Sequence, residues 1–176
     1  MSIHRLNHAV LYVRNLERSV AFYRDVLGFA PITEMGGLRG ASFLRAAGST
    51  NDHDLGLFEI GDGAAASGAG RTSVGLYHLA WEVDTLADLE ELSGKLAEAG
   101  ALVGASDHST TKSLYGQDPD GIEFEIAWIV PADQLDQAAI DGRKGIRPLD
   151  LPKEIARYGA QTHGGVGISR AALSTT

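Results

Sequence analysis

The chain carries one pattern twice, and that restricts it to folds assembled from two copies of a single unit. Leu6-Asn7-His8-Ala9-Val10-Leu11-Tyr12-Val13 returns seventy positions later as Leu76-Tyr77-His78-Leu79-Ala80-Trp81-Glu82-Val83. Each stretch reads as a strand running into an amphipathic helix. The second copy closes in a strand bearing Glu125, 47 residues after His78, where the first has Gly56, 48 residues after His8. Two histidines and one carboxylate on related strands are the parts of a 2-His-1-carboxylate site. Its open positions suit non-haem Fe(II) and oxygen chemistry.

At 176 residues the chain can bury a core without disulfides, and it has no cysteine to form one or to supply a thiolate ligand. A net charge of −8 with no basic tract argues against nucleic acid or an anionic membrane as partner. Met1–Leu6 lacks the apolar core of a signal peptide, and no apolar run is long enough to span a bilayer. The expectation is a cytoplasmic protein.

Leu6–Val13 is nearly all apolar and predicts a strand buried on both faces. Asn15 is placed to cap a helix whose Leu16, Val20, Tyr23 and Leu27 share a face, with Gly28 as its stop. Strands are expected near Ala30–Met35, Gly40–Ala46 and Asp54–Ile60, with a turn at Gly36-Gly37. The Gly/Ala-rich stretch 61–75 reads as a linker. The unit then restarts: strand Tyr77–Val83, and a helix opened by a Thr85/Asp88 capping box with Leu86, Leu89, Leu92, Leu96 and Ala99 as its apolar stripe. Strands follow near Ala101–Ala105, Ser113–Gly116 and Ile122–Ile129, the last after an Asp118-Pro119-Asp120-Gly121 turn. Alternation turns Phe124, Ile126 and Trp128 to the core and Glu125 to the concave side; the same phase puts Leu55 and Leu57 inside and Gly56 on the concave side. Beyond 131 the pattern weakens. Ala132–Ile140 and Lys153–Tyr158 suggest helices, Gly145–Pro152 a loop, and Gly164–Thr176 a poorly ordered tail.

These residues resemble the vicinal oxygen chelate superfamily of glyoxalases, bleomycin-resistance proteins and dioxygenases, most of all its single-module type I extradiol catechol 2,3-dioxygenases. The resemblance covers roughly residues 4–130. It rests on His8, His78, the Asp-Pro-Asp-Gly turn with Glu125 four residues after Gly121, His53-Asp54-Leu55-Gly56-Leu57-Phe58, Asp107-His108 and Ser113-Leu114-Tyr115. It implies an α+β fold: two tandem β-α-β-β-β units, about 4–60 and 74–130, forming one incomplete barrel-like sheet around a metal site. Residues 131–176 would be an extension serving as lid, dimer contact or partly disordered tail. It further implies Fe(II), with Mn(II) as a substitute, held by His8, His78 and Glu125. His53 would be the acid–base group, and His108 with Tyr115 would hydrogen-bond the substrate oxygen. The implied reaction inserts O2 into a catechol ring beside the diol, giving a 2-hydroxymuconic semialdehyde-type product, in a homo-oligomer. The rival readings are a glyoxalase- or epimerase-like lyase or isomerase and a drug-binding resistance protein. Gly56, standing where a fourth protein ligand would fall, argues against the first. Glu123 reads as a rim carboxylate, and His4 and His163 as structural or surface residues.

Overall fold

The computed structural model describes residues 2–3, 5–33, 38–70 and 72–165. His4, the Gly36-Gly37 turn and the tail from residue 166 lie outside them. The chain divides into two compact units, Met1–Gly68 with Asp118–Ile122, and Ala69–Gln117 with Glu123–Thr176.

In the first unit the order is β1 (Ala9–Val13), α1 (Leu16–Asp25), β2 (Ala30–Pro31), β3 (Ala41–Arg45) and β4 (Leu55–Glu59). The sheet runs β1-β4-β3-β2, with β1 parallel to β4 and the other pairs antiparallel. The second unit repeats this with β5 (Leu79–Glu82), α2 (Leu86–Glu98), β6 (Leu102–Asp107), β7 (Thr111–Gln117) and β8 (Glu123–Ile129), in the order β5-β8-β7-β6. The expected open sheet is thus divided into two, one in each unit, and neither closes.

The helices start where their caps require. Asn15 accepts from the Arg18 N–H, and Thr85 and Asp88 form the reciprocal capping box. Leu55 and Leu57 of β4 and Leu86, Leu89 and Leu96 of α2 are fully buried, each stabilising by about 1.5–3 kcal/mol. Phe124, Ile126 and Trp128 form the inward face of β8 as their alternation requires. One expectation fails. β1 is not buried on both faces: Leu11 and Val13 are, but Val10 and Tyr12 are 52% and 71% exposed. A strand at the sheet edge that turns Leu11 and Val13 to the core leaves its alternate residues outside, whatever their polarity.

The Asp-Pro-Asp-Gly turn belongs to the first unit. The Gly121 N–H donates to the Asp118 carbonyl at 2.9 Å, and Gly121 holds φ +80°, a conformation favouring glycine. Asp118 accepts from the Asp120 and Ile122 N–H groups and from the Tyr23 hydroxyl. Burial raises the Asp118 carboxyl above its ordinary range despite these bonds. Asp120 receives the Arg14 N–H and both the Arg14 and Arg18 guanidinium groups.

Residues 131–165 pack into the second unit. The expected helix at 132–140 is a 3-10 turn (Ala132–Gln134) followed by α3 (Gln137–Asp141). The expected loop contains β9 (Arg147–Pro148), which pairs antiparallel with β6, and α4 (Leu151–Tyr158) starts two residues earlier than expected. Asp150 caps α4 and Pro152 sits in its first turn, where a missing N–H costs nothing. From α4, Glu154 reaches Lys112, 1% exposed on β7; Lys112 Nζ lies 2.8 Å from Glu154 Oε2, an ion pair whose angle falls short of a hydrogen bond. Nζ also donates to Asp107 at 2.6 Å and to the Ser109 carbonyl at 3.1 Å. Gly164 and Gly165 donate to the Asp84 and Ile129 carbonyls, and His163 bridges Thr85. The linker holds no helix or strand among its described residues, only an isolated bridge between Gly70 and Ser73.

Candidate metal centre

The repeat can now be read in register. In the first unit Val10, two residues after His8, pairs with Gly56, and Gly56 pairs with Phe43. In the second, Ala80, two residues after His78, pairs with Glu125, and Glu125 pairs with Tyr115. Gly56 and Phe43 therefore hold the positions that Glu125 and Tyr115 hold in the other copy. One unit presents histidine, glycine and phenylalanine, and its counterpart histidine, glutamate and tyrosine.

In the first unit the His8 and His53 rings lie 4.3 Å apart, and Phe43 meets His53 edge-on at 5.1 Å. A Cβ added to Gly56 would meet Phe43 and Val10 side-chain carbons at 3.4 Å, so the ring of Phe43 uses the room glycine leaves. His8 Nδ1 lies 2.7 Å from the Asn7 side-chain oxygen. That contact selects the tautomer with the proton on Nδ1 and a lone pair on Nε2, the form a ligating imidazole takes. His53 Nδ1 lies 3.3 Å from Asp52.

In the second unit His78 Nε2 lies 3.1 Å from Glu125 Oε2. Two ligands on neighbouring positions of one metal, each bound at about 2.0–2.2 Å, would stand about 3 Å apart, so this pair fits a shared ion. Glu125 Oε1 accepts from the Ser113 hydroxyl at 2.5 Å. The His78 ring is flanked by Tyr77 at 4.7 Å and Tyr115 at 5.8 Å, and no described residue pairs with its buried Nδ1. His108 Nε2 lies 2.9 Å from the Tyr115 hydroxyl. Burial first, then the Glu125 charge, push the Tyr115 phenol above its ordinary range. Glu123 shares Glu125's face but pairs with Gln117 at the strand's start.

Of the six residues singled out in the sequence, the first unit brings together His8 and His53, and the second His78, Glu125, Tyr115 and His108. Among the described residues no group of three or more histidine, aspartate or glutamate side chains is gathered as a metal site. The donors are imidazole and carboxylate, which suits Fe(II) and Mn(II) better than a thiophilic metal. The sequence carries no separate signal for Ser113; alternation from Tyr115 places it on the same face but does not show its reach.

A family model described as the Glyoxalase/Bleomycin resistance protein/Dioxygenase superfamily matches residues 5–126. The chain belongs to this superfamily. Among its relatives is a catechol-2,3-dioxygenase from Bacillus subtilis, 33% identical over 129 residues, which cover 71% of this chain and 42% of that protein. The chain thus spans less than half the length of this dioxygenase. A lactoylglutathione lyase from Neisseria meningitidis is 31% identical over 127 residues, covering 69% of this chain and 88% of the lyase. Among solved structures, a glyoxylase/bleomycin resistance protein/dioxygenase domain from Frankia sp. EAN1pec matches with a TM-score of 0.59 and 26% identity, over 72% of this chain and 92% of that one. Both the open α+β sheets and the repeated β-α-β-β-β topology are those of the superfamily. No helix among the described residues is long and apolar enough to cross a membrane.

Proposed function

We propose that the chain is an extradiol dioxygenase that binds one divalent metal, Fe(II) or Mn(II), through His8, His78 and Glu125 and opens catechol-type rings with O2. The observation that carries this reading is the register of the two copies: a carboxylate in one, and Gly56 at the equivalent position in the other. A three-ligand set leaves positions for two reactants. The metal would act as a Lewis acid that lowers the pKa of the substrate diol and brings it together with O2.

The remaining work falls to the chain's own side chains. Tyr115, joined to His108 at 2.9 Å, offers a hydroxyl to a substrate oxygen and is kept in its protonated, donating form by burial. With Nδ1 of His53 beside Asp52, Nε2 is the atom that takes up and returns a proton. Phe43 packs against that imidazole and limits water around it. A glyoxalase-like lyase is the second reading, favoured by the relative that the chain spans almost end to end.

The test is anaerobic reconstitution with Fe(II) or Mn(II), then catechol in air, following oxygen uptake and a yellow ring-opened product, with Glu125→Gln as control. Uptake with the wild type and none with the control is expected. Bound metal without uptake across several catechols moves the assignment to a lyase or isomerase. No bound metal moves it to a binding protein.

A further inference from the structure

The side chain whose chemistry the preceding reading leaves unused is Ser113. It is fully buried, 0% exposed, on β7. A hydroxyl taken out of water must find a partner or cost about 1–3 kcal/mol. It finds Glu125 Oε1 at 2.5 Å, the length of a charge-assisted O–H to carboxylate bond. The sheet explains the reach. Ser113 pairs directly with Ala127 and Tyr115 with Glu125, so Ser113 and Glu125 are diagonal neighbours on one face. Ala127 directly opposite has only a methyl group and leaves the diagonal open.

We infer that Ser113 is a positioning residue that engages one oxygen of Glu125 so that the carboxylate offers a metal its other oxygen alone. This rests on the metal reading above. Oε2, the oxygen Ser113 does not hold, is the one 3.1 Å from His78 Nε2, so the bond divides the carboxylate into a held oxygen and a ligating one. Without the hydroxyl, Glu125 can rotate about its terminal bond and either leave the ion or grip it with both oxygens. Either change alters affinity and coordination number before any substrate is present.

The test is Mn(II) binding by calorimetry to the wild type, Ser113→Ala, Ser113→Thr and Glu125→Gln proteins, with the visible spectrum of the Co(II)-loaded forms as a reporter of coordination number. Loss of an outer partner of a metal ligand weakens binding by about 10–100-fold. Ser113→Ala is expected to fall in that range and to change the Co(II) bands, while the metal-free protein keeps its circular dichroism. Ser113→Thr, which retains the hydroxyl, is expected to recover most of the affinity. Wild-type affinity and spectrum in the alanine variant overturn the inference and leave the metal reading standing. So does a threonine variant as weak as alanine. A wild type that binds no Mn(II), or binds it no better than Glu125→Gln, overturns the metal reading and this inference with it.

Discussion

Replacing Lys112 with methionine tests what holds residues 131–165 to the β7 strand. Methionine keeps the unbranched stem in a site that is 1% exposed and removes only the charge. The ammonium makes three contacts, to Asp107 at 2.6 Å, Glu154 at 2.8 Å and the Ser109 carbonyl at 3.1 Å. Asp107 loses least, because the Ser109 N–H at 2.7 Å and Arg147 at 3.2 Å still serve it. Glu154, 5% exposed, loses the cation that balances it. Breaking a buried pair from one side costs about 3–5 kcal/mol. The better packing of an apolar stem offsets part of this, leaving about 3 kcal/mol. For a chain of this size that is a fall in melting temperature of about 6–12 °C.

The assay is urea unfolding at neutral pH by tryptophan fluorescence, since both tryptophans, Trp81 and Trp128, lie in the second unit. Lys112→Met with Glu154→Gln should recover much of the loss, because the stranded charge is gone. The acid dependence has a definite sign. Burial acts to raise the Asp107 carboxyl, but Lys112, the Ser109 N–H and Arg147 outweigh it and hold it below the ordinary range. A depressed carboxyl stabilises the fold above its unfolded pKa, about 3.9, and that contribution disappears as pH falls through the folded value. The gap between wild type and Lys112→Met should therefore be widest near neutrality and narrow below about pH 4. A single variant within about 0.5 kcal/mol of wild type, or a double variant no better than the single, refutes the argument.

Three further substitutions separate other features. Gly116→Ala places a methyl group into the ring of Phe124, 2% exposed and unable to move aside, and should cost about 1–3 kcal/mol in the same unfolding assay. Asp120→Ala removes the acceptor for the Arg14 N–H and two guanidinium groups at a side chain 7% exposed, and should cost about 2 kcal/mol. Arg18→Ala, half-exposed, should cost under about 1 kcal/mol, and equal losses for the two would contradict this ranking.

Much of this protein is legible in its sequence because the relevant physics is local. Asn15, Thr85 and Asp88 satisfy helix N–H groups within three residues of themselves, so their caps can be read from spacing. A strand's period of two sends Phe124, Ile126 and Trp128 one way and Glu125 the other, and sets Leu55 and Leu57 against Gly56. The repeat itself makes Gly56 the counterpart of Glu125, as the strand register bears out. What depends on distant partners could not be read this way. Whether the second face of β1 is covered depends on what packs there, so Val10 and Tyr12 read as core and lie exposed. The burial of Lys112 has no local signal, because the carboxylate that balances it, Glu154, sits 42 residues on, in a helix brought to β7 only by folding. Only the pairing of β7 with β8, with small Ala127 opposite, turns the Ser113 hydroxyl toward Glu125. Sequence alone determined which residues share a face. Tertiary structure decided which of those faces, charges and hydroxyls meet, because burial and pairing are properties of two segments and not of one.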